Sequence, residues 1–81
     1  MFNFVSYYYT NGQVHHKANF IKGKYEGLQK WYHENGQLMV KGNYKNHKRE
    51  GLFEWFDQEG KLSKKENYKN GRKIKWKKAK Q

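Results

Sequence analysis

Eighty-one residues with no cysteine and no proline make one domain at most and exclude a disulfide framework or a cysteine metal site. Hydrophobic residues are 35% of the chain and aromatics 19%, so any core has to be built mainly from rings. The net charge of +11 is uneven: residues 1–60 carry eight Lys/Arg and six Asp/Glu, whereas residues 61–81 carry ten Lys/Arg and one acid, Glu66.

The chain opens on MFNFVSYYYT, which has no basic flank, no long apolar run and no small-residue cleavage site. It does not read as a signal peptide. No stretch approaches the roughly 18 apolar residues of a membrane span. The expectation is a soluble, cytoplasmic protein without a transmembrane segment.

The next elements repeat. Residues 31–38 read WYHENGQL and residues 55–62 read WFDQEGKL, 24 positions later. Gly12, Gly36 and Gly60 fall in phase, as do Tyr7, Trp31 and Trp55, then Tyr8, Tyr32 and Phe56. Val14, Leu38 and Leu62 follow, then Lys17, Lys41 and Lys65, then Asn19, Asn43 and Asn67. Gly42 is the one glycine without a counterpart. Such a period marks a repeat architecture in which each unit packs on the next. The repeats run at about 7–30, 31–54 and 55–78 within a single domain, 1–81, with a basic C-terminal end at 72–81.

Each unit holds two short runs rich in aromatic and branched residues, separated by TNGQ, ENGQ or QEGK. Asn-Gly between such runs predicts a hairpin with a two-residue turn. No run of twelve residues escapes a glycine, which disfavours helix. The expected fold is all-β: a single curved antiparallel meander of three 24-residue hairpin repeats. About seven strands are expected, near 2–9, 14–20, 27–33, 38–44, 51–57, 62–68 and 73–78.

A two-residue turn pairs His33 with Leu38 and Trp31 with Val40, and opposed residues share a face. One face then collects Tyr7, Tyr9, Val14, Ala18, Phe20, Trp31, Leu38, Val40, Tyr44, Phe53, Trp55, Leu62 and Tyr68, and is the better core. The other collects Phe4, Tyr8, Leu28, Tyr32, Leu52 and Phe56 among Lys17, Asn19, Lys41, Asn43, Lys65 and Asn67. A three-residue turn with a bulge would slip this register by one. A lone twisted sheet cannot cover its own apolar face, and its end strands offer unpaired backbone groups. Packing therefore points to a homo-oligomer or a partner complex.

The phrases EGLQKWYHENGQLMVKGNYKN and EGLFEWFDQEGKLSKKENYKN resemble the variant MORN repeat, a form found in small bacterial YwqK-type antitoxins. The likeness covers about Tyr7 to Trp76. It implies an elongated scaffold of consecutive hairpins with no catalytic activity. It also implies binding to other proteins or membrane lipids, and for the antitoxin type the holding of a toxin inactive. The first repeat departs from the pattern, with Asn3 where Gly27 and Gly51 stand later.

The residues agree that catalysis is not the task. Ser6, Ser63 and Thr10 are the only Ser or Thr, and no acid–base pair recurs. His15 and His16, adjacent on a strand, are expected on opposite faces and do not suggest a metal site. No cofactor is expected. The candidate partner-binding set is Tyr8, Tyr32 and Phe56 with Lys17, Lys41 and Lys65, because interfaces favour exposed rings. A second candidate is the basic end, Lys69, Arg72, Lys73, Lys75, Trp76, Lys77, Lys78 and Lys80, which suits nucleic acid or anionic lipid.

Overall fold

A computed structural model of the protein describes residues 2–75. They form β1 (Phe2–Tyr8), β2 (Val14–Ile21), β3 (Lys24–Tyr25), β4 (Gly27–Tyr32), β5 (Leu38–Lys45), β6 (Lys48–Phe56), β7 (Leu62–Lys69) and β8 (Arg72–Ile74). All join one antiparallel sheet in meander order, with β3 pairing only β2. Glu26 alone separates β3 from β4, so the two act as one bent strand. Eight strands replace the expected seven because of that bend.

The turns inside the repeats are not two-residue turns. Tyr9, His33 and Asp57 each bond twice across their loop: Gly12 N–H donates to Tyr9 O at 3.0 Å, Gly36 N–H to His33 O at 3.0 Å and Gly60 N–H to Asp57 O at 3.0 Å. Glycine carries the positive φ, from 89° to 92°, while neither Asn11 nor Asn35 does. These are type I turns closed by a left-handed glycine. Asn11 and Asn35 sit before that glycine because their Oδ1 atoms accept the N–H two residues on, from Gln13 at 2.8 Å and Gln37 at 2.9 Å.

The longer turn slips the pairing by one, so Tyr32 faces Leu38 rather than His33 facing it. A β-bulge one step further restores it, and Trp31 faces Val40 as the sequence suggests. The same compensation occurs at Tyr7/Tyr8 and Trp55/Phe56. His15, Met39 and Ser63 are the extra residues. The two-residue turns lie between the repeats instead, at Lys22-Gly23, Asn46-His47 and Asn70-Gly71, where both residues have positive φ.

The double slip corrects the two faces. Val14, Leu38 and Leu62 pair with Tyr8, Tyr32 and Phe56, so they leave the core face for the opposite one. His15 and His16 lie on one side, not two, with ring centroids 6.4 Å apart.

The core is a row of rings on one face. Phe53, Val40 and Tyr68 are buried, with Trp31, Met39, Tyr44 and Trp55 packed around them. Edge-to-face contacts join Tyr25 to Tyr44, Tyr44 to Phe53, and Phe53 to Tyr68, at 5.0, 5.6 and 5.3 Å. Phe53 lies opposite Gly42, which explains why that glycine stands outside the period. Gln29 is in phase with Phe53 and is also fully buried, at 0% exposure. Its amide replaces missing ladder bonds: Asn19 N–H donates to Gln29 Oε1 at 3.0 Å, and Gln29 Nε2 donates to Asn19 O at 2.9 Å.

Neighbouring repeats are laced together by bonds that obey the period. Tyr9 Oη donates to Tyr32 O at 2.6 Å and His33 Nε2 to Phe56 O at 2.9 Å. Asn11 Nδ2 donates to Glu34 O at 3.1 Å, and Asn35 Nδ2 to Gln58 O at 2.9 Å. At the other sheet margin, Glu26 Oε1 accepts Asn46 N–H at 2.7 Å and Glu50 Oε1 accepts Asn70 N–H at 3.0 Å.

Candidate functional site

The sheet is one layer thick. Its extents are 49 × 35 × 13 Å and its radius of gyration is 14.2 Å, against about 12 Å for a compact chain of this length. Among the described residues nothing covers the face opposite the ring core, and that face holds the candidate residues.

Three rows cross it. The middle row runs Ser6, Lys17, Lys30, Lys41, Glu54 and Lys65, each opposite the next. Four of the six are lysines, and Glu54 stands between Lys41 and Lys65, 3.9 Å from the Lys41 ammonium. On the turn side lies an apolar row in which Tyr8, Tyr32 and Phe56 pair with Val14, Leu38 and Leu62. On the other side, Phe4, Leu28, Leu52 and Ile74 alternate with Asn19, Asn43 and Asn67. Phe4, Tyr8, Leu28, Leu52, Leu62 and Ile74 are all exposed large hydrophobics. The surface is therefore a charged stripe between two apolar ones.

Tyr8, Tyr32, Phe56, Lys17, Lys41 and Lys65 thus share one face. Tyr8 is the most exposed ring of the three, at 64%, while Tyr32 and Phe56 are half-buried. Lys17 Nζ lies 5.8 Å from the Tyr32 ring centroid, a cation–π contact across the first repeat seam. Sequence reasoning passed over Lys30, which breaks the period by standing where Ser6 and Glu54 stand. It also missed that Val14, Leu38 and Leu62 enlarge the apolar area here. The turn length that moves them was the missing signal.

Among the described residues of the basic end, Lys69 pairs with Arg72 and Lys73 with Tyr68, so Lys69 and Arg72 lie on the open face and Lys73 on the core face. Lys73 is engaged on the core face, 3.0 Å from Glu66 Oε2. Lys75 is exposed. Trp76, Lys77, Lys78 and Lys80 lie outside the described residues.

The core face carries a polar cluster of its own. The Arg49 guanidinium lies over the rings of Phe53 and Tyr68, at 5.1 and 5.0 Å. Arg49 Nη1 donates to Tyr68 Oη at 2.8 Å, and that hydroxyl donates to Glu66 Oε1 at 2.8 Å. The Tyr68 hydroxyl and then Lys73 hold the Glu66 carboxyl below its ordinary range. His16 is buried against Trp31 and Tyr7, with its ring stacked 4.5 Å from the former and 5.5 Å from the latter. Its pKa is pushed down by burial and, second, by neighbouring His15. Among the described residues no group of three or more His, Asp or Glu could hold a metal ion. Among them, too, no helix is long and apolar enough to cross a membrane.

A family model described as MORN repeat variant matches the chain three times, at residues 5–22, 25–46 and 49–70. The matched segments follow the hairpins β1–β2, β3–β5 and β6–β7. No curated protein and no solved structure matches the chain significantly.

Proposed function

From the premise that the chain belongs to the MORN repeat variant family, we propose that it is a non-catalytic scaffold whose open face binds another protein. The observation that carries this reading is the triple repetition of one ring position. Tyr8, Tyr32 and Phe56 stand at equal spacing beside a lysine row, on a face that none of the other described residues covers. Rings at the centre of an interface supply most of its affinity, and the lysines would steer an acidic partner into place. A toxin held inactive by occlusion is one such partner, in line with the antitoxin type of this repeat. The reading places the protein in the cytoplasm, without a cofactor.

The test is affinity capture of the partner from native lysate, repeated with Tyr32→Ala plus Phe56→Ala. The reading expects the double variant to keep its fold and lose the partner. Partner capture at the wild-type level would remove these two rings from the interface.

A second reading rests on the surplus of cations: Lys17, Lys30, Lys41 and Lys65 on the open face and Lys69, Arg72 and Lys75 near the end. It makes the protein a binder of nucleic acid or anionic lipid. Such binding would weaken steeply with salt and fail when residues 72–81 are deleted. Binding through the rings would survive both better.

A further inference from the structure

The two edges of the sheet are built differently. β8 is three residues long, and two of them are cationic, Arg72 and Lys73. Such an edge resists strand addition. β1 is seven residues long, FNFVSYY, and none is charged. It has no proline, and it stays in register with β2 from Phe2 to Tyr7 without a break. The strands that begin the later repeats bend instead, at Gly27 and Gly51, where φ is 88° and 82°. Those bends accommodate the preceding hairpin at each seam. Asn3 takes that place in β1, and the strand is straight.

The backbone groups that β1 presents outward follow from its partner. Asn19 turns both its N–H and its C=O toward β4, where Gln29 takes them. Phe4 faces Asn19 and so forms a pair without mutual hydrogen bonds. Its own N–H and C=O therefore point away from the sheet. By alternation Phe2, Ser6 and Tyr8 do the same.

We propose that β1 pairs with β1 of a second copy, antiparallel about a two-fold axis through Val5. In that register the outward residues meet one another: Phe2 faces Tyr8 of the second copy and Phe4 faces its Ser6. The seam closes about eight main-chain hydrogen bonds. It also sets ring against ring, a favourable cross-strand pair. A second copy is the fitting occupant because the segment is neutral and self-complementary, so two edges meet without like-charge contact. The two open faces would become one continuous surface of six hairpins. This assembly is independent of what that surface binds.

Cysteine capture tests the register in a chain that has no cysteine of its own. Val5 faces itself across the axis in a non-bonded pair, with Cα atoms about 4.5 Å apart. That lies within disulfide reach. Val5→Cys should oxidise to a covalent dimer, whereas Ser6→Cys, placed beyond the roughly 7 Å limit, should not. Ser6→Pro deletes one outward N–H and is tolerated on an edge. It should weaken the dimer at least about tenfold in sedimentation, with unchanged circular dichroism. A wild-type chain that sediments as a monomer up to about 1 mM would overturn the proposal. So would equal disulfide capture by Val5→Cys and Ser6→Cys, even if the proline variant failed to fold.

Discussion

The ring of Phe53 rests directly on Gly42: a Cβ built on that glycine would stand 2.5 Å from the ring. Phe53 is 1% exposed and touches the rings of Tyr44, Trp55 and Tyr68. The absence of a side chain on one strand makes room for the largest buried one on the next. Gly42→Ala should therefore destabilise the fold by about 1–3 kcal/mol through overpacking. Phe53→Ala should cost about 3–5 kcal/mol through the cavity it leaves. Urea unfolding followed by tryptophan fluorescence measures both. A neutral Gly42→Ala would mean that the ring has room to move.

Acid should loosen the first seam. His16 is buried and its Nε2 has no hydrogen-bond partner. It is surrounded by Tyr7, Tyr25, Trp31 and His15. Its folded pKa lies below its ordinary value of 6.5. The unfolded chain therefore takes up the proton first as pH falls. Stability from this residue is fully present above about pH 6.5, declines below it, and levels once the folded form also protonates. Melting temperatures from pH 8 to 5 should show the decline in the wild type and a flatter profile in His16→Phe.

The loop lacing can be divided into two bonds by substitution. Asn35 uses Oδ1 to accept Gln37 N–H within its own turn and Nδ2 to donate to Gln58 O in the next repeat. Asn35→Asp keeps the first and loses the second, so it should cost less than Asn35→Ala. At about 1 kcal/mol per bond, the alanine variant should lose roughly twice as much stability as the aspartate one. Equal losses in urea titration would show that the bond within the turn contributes nothing, and an aspartate variant as stable as the wild type would show the same of the bond between repeats.

Arg49 should not tolerate lysine. Its planar guanidinium lies over two rings while one nitrogen reaches the Tyr68 hydroxyl. An ammonium cannot do both. Arg49→Lys should cost about 1 kcal/mol in urea unfolding. The linked Glu66, whose pKa is lowered, contributes stability above the usual carboxylate range and loses it as pH falls through the lowered value. Glu66→Gln should remove that acid-dependent part.

Much of this was legible in the residues. The 24-residue phase of Gly12, Gly36 and Gly60 gave the hairpins, and the pairing of Trp31 with Val40 follows from the pattern. Asn-Gly misled because the same dipeptide serves two turns. Asn35 can take positive φ, or it can stay at negative φ and bond Gln37 N–H, and here it does the latter. The true two-residue turns fall at Lys22-Gly23, Asn46-His47 and Asn70-Gly71. His47 occupies a position that Gly23 and Gly71 fill elsewhere, and its Nδ1 accepts Tyr25 N–H at 3.1 Å. Composition could not reveal that bond. Nor could it show Gln29 as a buried substitute for ladder bonds, since a glutamine in a strand ordinarily reads as solvent-facing.

The open face had the same fate. Its lysines and rings were readable from alternation, but Leu38 and Leu62 joined it only because two single-residue slips cancel at each hairpin. Period-two patterning assigns faces correctly on either side of a bulge and incorrectly within it.

The most direct test of the account uses the methyl groups that separate the two faces. Leu28, Leu38, Leu52 and Leu62 belong to the open face, and Met39 and Val40 to the ring core. Methyl-labelled protein is titrated with the captured partner and followed by NMR. The account predicts shifts and broadening at the four leucines, with Met39 and Val40 left in place. Changes centred on Met39 and Val40, with the leucines unmoved, would contradict it.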